Sequence, residues 1–251
     1  VLQQKDVLVL MPTGGGKSLC YQIPAMLLPG LTIVVSPLIS LMKDQVDALL
    51  TYGVNAAYIN SNLSSQDMFR VYKGMQNEKY KLIYVAPERL MQLEFIQRLQ
   101  GLRVSLIAVD EAHCVSHWGH DFRKDYRLLG QLKTTFPDIP IMGLTATADL
   151  ATRADITQQL HLQQPFIFKG SFDRPNIRYN QVTKYKATDQ AIAFVKQQDG
   201  SGIIYCNSRK KVDDLSIALG KHGVNCAGYH AGLEGEIRDK IQRDFIQDKI
   251  D

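Results

Sequence analysis

The chain has 251 residues, 45% of them hydrophobic and 22% charged, with a formal charge of +4, which is the composition of a soluble globular protein. No window approaches the roughly 18 uninterrupted apolar residues of a membrane span, and no basic flank precedes an apolar signal core, so a cytoplasmic location is the default and no membrane partner is expected. Cys20, Cys114, Cys206 and Cys226 are far apart with no Cys-x-x-Cys pair, so no zinc site or disulfide framework is legible and all four are read as reduced thiols.

The apolar run Val7 to Leu10 reads as a buried strand, and Met11-Pro12-Thr13-Gly14-Gly15-Gly16-Lys17-Ser18 follows it directly. Three successive glycines let the backbone curl so that several N–H groups face one phosphate, which a Cβ would obstruct, and a helix beginning near Lys17 adds its positive dipole end. Thr13, Gly14, Gly15, Gly16, Lys17 and Ser18 are therefore the candidate nucleotide-binding residues, with Lys17 reaching the β and γ phosphates of a triphosphate and Ser18 ligating Mg²⁺. The bland alternative is a glycine turn between strand and helix with an ordinary exposed lysine. Met11 stands where the general pattern has its first glycine, which points to a subtype of the loop.

Thr32 to Val35, Leu82 to Val85, Leu106 to Val109 and Ile141 to Leu144 are predicted as further strands buried on both faces, the alternation of a parallel sheet with crossover helices. Leu38, Leu41, Met42, Val46, Leu49 and Leu50 recur at helical spacing and predict a helix laid against that sheet. Lys43 and Asp47, on its polar stripe, read as a solvated face.

Asp110-Glu111-Ala112-His113 closes the strand Leu106 to Val109 and puts two carboxylates at the carboxyl edge of the sheet, where the glycine loop also emerges. Asp110 suits a metal held through its waters, and Glu111 suits polarisation of a water attacking a γ-phosphate. A helix cap is the structural alternative. In the segment Ser116 to Arg123, residues His117, Trp118, His120, Phe122 and Arg123 offer planar surfaces for bases and cations for phosphates. Alternatively, Trp118 and Phe122, at i and i+4, are core residues of a short helix. Thr145 and Thr147 are strand-end hydroxyls suited to a turn.

After Phe166-Ile167-Phe168 the pattern breaks at residues 169–176, a polar stretch with Gly and Pro that reads as a linker. On either side of Asn176 the charge is mild, 17 basic minus 15 acidic residues before and 12 minus 10 after, each +2, which permits contact with nucleic acid without arguing for it. Beyond the linker, Ile177 to Val182, Gly202 to Cys206 and Cys226 to His230 are predicted as strands. Val212, Leu215, Ala218 and Leu219 mark a helix, and a charged helix follows the last strand. A typical sheet has five or six strands, so the second unit is expected to be truncated.

Together, residues 13–18, Asp110 to His113 and Leu144-Thr145-Ala146-Thr147-Ala148 resemble a superfamily 2 helicase. Residues 36–46 (Ser-Pro-Leu-Ile-Ser-Leu-Met-Lys-Asp-Gln-Val), Ala86-Pro87-Glu88-Arg89-Leu90 and Ser116 to Arg123 narrow the resemblance to the RecQ family, its bacterial members most. Ser171-Phe172-Asp173-Arg174-Pro175-Asn176, Ile203 to Arg209 and Tyr229 to Leu233 continue it over essentially the whole chain.

The resemblance implies an α/β fold of two RecA-like P-loop NTPase lobes, each a parallel sheet flanked by helices, at residues 1–171 and, incomplete, 172–251. It implies an ATP-dependent 3′ to 5′ DNA helicase that couples hydrolysis to translocation on single-stranded DNA and to duplex unwinding in repair and recombination, with ATP and Mg²⁺ as cofactors. Lys17, Asp110, Glu111 and His113 become the catalytic set, and Ser18 and Asp110 the metal ligands. Ser36, Arg89, His117, Trp118, His120, Phe122 and Arg123 become DNA contacts of the first lobe, and Asn207, Ser208, Arg209 and His230 those of the second. Thr145 and Thr147 become the link between the ATP site and the inter-domain cleft, and the aromatic-rich loop becomes the coupler of DNA binding to hydrolysis. For Arg89 a surface ion pair is an equal reading, and Lys210 and Lys211 read as solvated. Lys124 stands where the bacterial pattern commonly has proline, which bears on how the chain leaves that loop.

The implied partners are single-stranded and partially duplex DNA, and a single-stranded-DNA-binding protein engaged through a C-terminal region outside this chain. A monomer in the cytoplasm, associated with the nucleoid, is expected. In the family a Phe-Arg-x-Gly-Gln motif that reads adenine lies upstream of the glycine loop, and none precedes it here. The chain also ends before the family's arginine fingers, which are worth about 10³ to 10⁵ in rate in related NTPases, so little or no hydrolysis is expected of these residues alone. Two other readings stay open: a DEAH-type RNA helicase, which would not be expected to carry the Trp118 loop, and a non-catalytic nucleic-acid-binding module that keeps a P-loop fold without turnover.

Overall fold

Short apolar runs separated by amphipathic segments can bury both of their faces only as strands of a covered parallel sheet, and this is what the first unit builds. The computed structural model describes residues 1–60, 63–116, 123–146 and 149–250, and it divides into the units Val1–Asn176 and Ile177–Asp251. The strands of the first unit are β1 (Val7–Leu10), β2 (Leu31–Val35), β3 (Ala56–Ile59), β4 (Leu82–Val85), β5 (Val104–Val109), β6 (Ile141–Thr145) and β7 (Phe166–Lys169). They lie in the order β3-β4-β2-β5-β6-β1-β7, every neighbouring pair parallel.

Alternation along the strands separates two cores. Leu8, Ile33, Val35, Ile83, Val85, Ile107 and Val109 enter one, while Val7, Val9, Val34, Leu82, Tyr84, Leu106 and Ala108 enter the other. Helices α1 (Leu19–Leu27) and α2 (Ile39–Thr51) cover the second face through Tyr21, Ala25, Met42, Val46 and Leu49. The first face is covered by α3 (Ser65–Gln76), the single turn α4 (Pro87–Leu90), α5 (Leu93–Gln100), the turns α6 (Lys124–Arg127) and α7 (Gln131–Thr135), and α8 (Leu150–Gln159). Their buried anchors include Met75, Phe95, Leu99, Leu132 and Ile156.

The five strands predicted for this unit all form, with bounds within two residues of those read from the sequence. Two more were not anticipated, β3 and β7, and both are edge strands. Their sequences, Ala-Ala-Tyr-Ile and Phe-Ile-Phe-Lys, are largely apolar, but an apolar run of four residues cannot be told from a piece of buried helix by periodicity alone. In β7 the side chains of Phe166, Ile167 and Phe168 are all exposed.

The second unit departs from expectation. Helices α9 (Ala187–Val195), α10 (Arg209–Lys221) and α11 (Gly235–Ile246) form, the last two as predicted. None of the segments 177–182, 202–206 and 226–230 forms a strand. A strand is sustained by ladder bonds to a neighbour, and these segments pair with nothing among the described residues; Tyr179, Val182, Ile203 and Tyr205 project into solvent instead. Among the described residues, no helix is long and apolar enough to cross a membrane.

Candidate functional site

The sheet order brings the chemistry together. Strand β6 lies between β1 and β5, in register Leu10 with Thr145 and Val109 with Gly143, so the segments leaving β1 and β5 flank the end of β6. A crevice of this kind, at the carboxyl edge where the strand order reverses, is where open α/β sheets bind ligands.

Leaving β1, the glycine loop is tied to β6 by the Met11 N–H, which donates to the Thr145 carbonyl at 3.1 Å. Gly14 and Gly16 adopt φ of 76° and 85°, a region that L side chains rarely enter. At Gly15 a Cβ would fall 2.9 Å from the Pro12 carbonyl oxygen, to which the Gly15 N–H donates at 3.0 Å. The backbone N–H groups of Gly14, Gly16, Lys17 and Ser18 have no protein acceptor among the described residues. They lead directly into α1, whose first bonds run from Leu19 to Gly16 and from Cys20 to Lys17. Unsatisfied donors at a helix N-terminus form an anion cradle.

Opposite the loop, Lys17 Nζ lies 3.5 Å from Glu111 Oε1, and the lysine side chain is only 12% exposed. The other carboxylate oxygen, Oε2, is 3.2 Å from His113 Nδ1, which is also 2.9 Å from the hydroxyl of Thr145. Lys17, Glu111, His113 and Thr145 thus form one continuous polar chain from the glycine loop to the end of β6. Glu111 sits at φ 47°, ψ 45°, a left-handed conformation that is uncommon outside glycine and concentrates at functional sites. Its carboxylate is held below the usual glutamate range, chiefly by the His113 hydrogen bond and further by the charge of Lys17, against the opposing effect of burial.

Asp110 contrasts with its neighbour. It is 8% exposed, accepts at Oδ1 from the Glu111 N–H at 2.9 Å, and gives its carbonyl to the Tyr126 hydroxyl at 3.1 Å. Burial, followed by repulsion from Glu111, pushes its carboxyl above the usual aspartate range. A raised folded-state pKa means that the ionised carboxylate costs stability at neutral pH, and that the cost is relieved as pH falls through the raised value. Asp110→Asn, which keeps the acceptor oxygen and removes the charge, is therefore expected to raise the thermal stability of the nucleotide-free chain, on the order of 1 kcal/mol or about 2 to 4 °C. A melting curve showing a lower midpoint than the unsubstituted chain would contradict this.

Ser36 directly follows β2 with 2% exposure, and its hydroxyl has no hydrogen-bond partner among the described residues. A contact to a nucleic-acid backbone needs that side chain uncovered. Arg89 donates to the Tyr72 hydroxyl at 2.9 Å and to Gln92, so it forms no surface ion pair among the described residues. It lines a cavity of about 670 Å³ with Phe69, Tyr72, Lys73 and Arg98. Arg123 donates from its guanidinium to the Pro37 carbonyl at 3.2 Å and from its N–H to Cys114 at 3.0 Å. His117, Trp118, His120, Phe122 and Thr147 lie outside the described residues.

In the second unit, Ser208 caps α10 by accepting from the Lys211 N–H at 3.3 Å, and His230 Nε2 lies 3.0 Å from Asp213 Oδ1. A Cβ on Gly232 would meet both His230 and Arg209, at 3.1 and 3.2 Å, so these two side chains converge beside the start of α10. Asn207 is exposed next to them.

One residue at the glycine loop had no assigned role from sequence. Arg174 donates from Nη1 to the Thr13 carbonyl at 3.2 Å, and its guanidinium atoms lie 3.6 to 3.9 Å from where a Cβ of Gly14 would stand. A lone arginine in a polar linker carries no local signal for a contact 161 residues away.

A family model described as DEAD/DEAH box helicase matches residues 1–156. The chain is 53% identical over 250 residues to the ATP-dependent DNA helicase RecQ of Pasteurella multocida, a match covering 99% of this chain and 40% of that protein. It is 46% identical to the ATP-dependent DNA helicase RecQ of Bacillus subtilis, over 98% of this chain and 42% of that one. The chain thus spans about two-fifths of the length of these relatives. Among solved structures, the DUF1998 helicase MrfA bound to DNA superposes with a TM-score of 0.73 at 17% identity, covering 97% of this chain and 36% of the other; this is a likeness of fold.

Proposed function

Because the chain belongs to the DEAD/DEAH box helicase family, we propose that it is the nucleotide-binding part of an ATP-dependent DNA helicase that uses hydrolysis to move 3′ to 5′ along single-stranded DNA and to open duplexes during repair and recombination. The observation that carries this reading is the polar chain Lys17, Glu111, His113 and Thr145 set against a glycine loop with open N–H donors. High identity to RecQ helicases supports DNA as the substrate.

In this proposal the loop N–H groups and Lys17 hold the phosphates of ATP. Glu111, kept ionised by His113 and Lys17, takes a proton from the attacking water. His113 passes the position of Glu111 to Thr145 at the end of β6, which links the reaction to the carboxyl edge of the sheet. The residues also fit Mg²⁺. Among the described residues no three metal-ligating carboxylates, histidines or cysteines cluster, but the under-compensated Asp110 carboxylate and the Ser18 hydroxyl suit an ion that takes the rest of its shell from phosphate and water. When bound, that ion would neutralise charge developing between the outer phosphates. Arg89 and Arg123 on the first unit, and Ser208, Arg209 and His230 on the second, are proposed DNA contacts, joined by the segment around Trp118. A single-stranded-DNA-binding protein as partner, a monomeric state and a nucleoid-associated location belong to the same proposal.

The 251 residues alone are expected to hydrolyse ATP slowly or not at all and to leave DNA duplexes closed, whereas a polypeptide of the length of the relatives does both. DNA-stimulated ATPase assays on the two proteins check this. A robust DNA-stimulated rate from the short chain would overturn it.

A further inference from the structure

The linker at the end of the first unit runs beside the glycine loop. Strand β7 pairs with β1 in register Leu10 with Lys169, and one residue later the Gly170 N–H donates to the Leu10 carbonyl at 2.8 Å. The two chains therefore leave the carboxyl edge of the sheet together. Four residues on, Arg174 reaches back to the far rim of the loop and donates to Thr13. It has no carboxylate partner among the described residues, so a full positive charge, satisfied by one neutral carbonyl, leans over the turn at Gly14.

We infer that Arg174 is a phosphate-contacting residue, supplied from the linker, that favours a nucleoside triphosphate over a diphosphate in the glycine loop. The inference rests on the reading of Met11 to Ser18 as a nucleotide site. The open N–H groups of Gly16, Lys17 and Ser18 lie at the helix end of the loop and suit the inner phosphates. Thr13 and Gly14 form the opposite rim, beside the outermost phosphate. A guanidinium there exchanges a neutral carbonyl for a charged oxygen, and hydrogen bonds to charged acceptors are roughly twice as strong as neutral ones. Its planar fork can also hold two oxygens while an ammonium holds one. A diphosphate leaves Arg174 on Thr13. A triphosphate draws it away, three residues before the second unit begins at Ile177, so the occupancy of the loop is felt by the linker.

The test is nucleotide binding by the 251-residue chain with Mg²⁺, using a non-hydrolysable ATP analogue and ADP. Arg174→Ala is expected to weaken the analogue about tenfold, the loss of one charge-assisted hydrogen bond, while changing ADP affinity little. Arg174→Lys is expected to fall between, since charge is kept and the fork is lost. Lys17→Ala separates the two levels of the argument, because it should weaken both nucleotides. If Lys17→Ala binds both like the unsubstituted chain, or if that chain binds neither, the glycine-loop reading fails, and this inference with it. If Lys17→Ala weakens both nucleotides while Arg174→Ala binds the analogue normally, or loses both nucleotides equally, Arg174 is only a strut of the linker and the inference is overturned.

Discussion

Replacing Glu111 by Gln is expected to lower ATP turnover by about 10²- to 10⁴-fold, the usual contribution of a positioned general base, while nucleotide still binds. The expectation follows from the contacts of the carboxylate. Its two oxygens are divided between Lys17 and His113, and the left-handed backbone at Glu111 aims the side chain at the loop instead of along the following turn. Glutamine keeps the shape and an acceptor oxygen but cannot take a proton. It also frees Lys17 from an ion pair that a phosphate must otherwise displace, so nucleotide affinity should be unchanged or higher.

Steady-state hydrolysis saturated with single-stranded DNA, in a protein of the relatives' length, gives the first number, and nucleotide titration of the short chain gives the second. Turnover close to that of the unsubstituted enzyme would remove Glu111 from the chemistry. The pH response has a definite sign. A carboxyl held below its unfolded value stays ionised, and stabilises the fold, above the ordinary glutamate range, and it loses both roles as pH falls through its depressed folded value. Any acidic limb contributed by Glu111 should therefore lie below the ordinary glutamate range.

This site was legible in the sequence because each half of it is local. A buried strand followed at once by Thr-Gly-Gly-Gly-Lys-Ser, and another followed at once by Asp-Glu, both point to the carboxyl edge of a parallel sheet, and only the strand order was missing. That order places β6 between them and gives Thr145, by local preference alone a turn former, a physical partner in His113, 2.9 Å from its hydroxyl. Arg89 was less legible, because its partner Tyr72 lies on a helix that the hydrophobic pattern did not announce. The second unit was the least legible. Ile203, Ile204 and Tyr205 have every local preference of a strand, but pairing is a property of two segments, and here no described neighbour supplies the other half. Long-range polar contacts leave no periodic trace at all. Arg174 is one such case, and Asp6 is another.

Asp6→Ala is expected to destabilise the first unit by about 3 to 5 kcal/mol, the usual result of stripping one partner from a buried ion pair. Asp6 stands just before β1, is 2% exposed, and accepts four hydrogen bonds' worth of order from three separate segments with only two oxygens and one carbonyl. Oδ1 takes Lys133 Nζ at 3.0 Å and the Ile141 N–H at 2.8 Å. Oδ2 takes the Gln163 N–H at 2.7 Å, and its carbonyl takes the Phe166 N–H at 2.9 Å. The side chain therefore pins β1 to the start of β6 and to the approach of β7, the two strands between which the glycine loop emerges. Removing it leaves Lys133, itself 8% exposed, with only the Ile139 carbonyl at 3.0 Å, leaves the buried Ile141 N–H without its acceptor, and releases the Gln163 N–H. At roughly 2 to 4 °C per kcal/mol for a domain of this size, the midpoint of thermal unfolding should fall by about 10 °C. Adding Lys133→Met to Asp6→Ala removes the stranded charge and should recover part of the loss, since a buried ion pair is often replaceable by apolar groups when both members go together. A double variant as unstable as the sum of the two single ones would show that the pair does not act as a unit. A single Asp6→Ala variant melting within a degree of the unsubstituted chain would show that β1, and the glycine loop it carries, are held in place by packing alone.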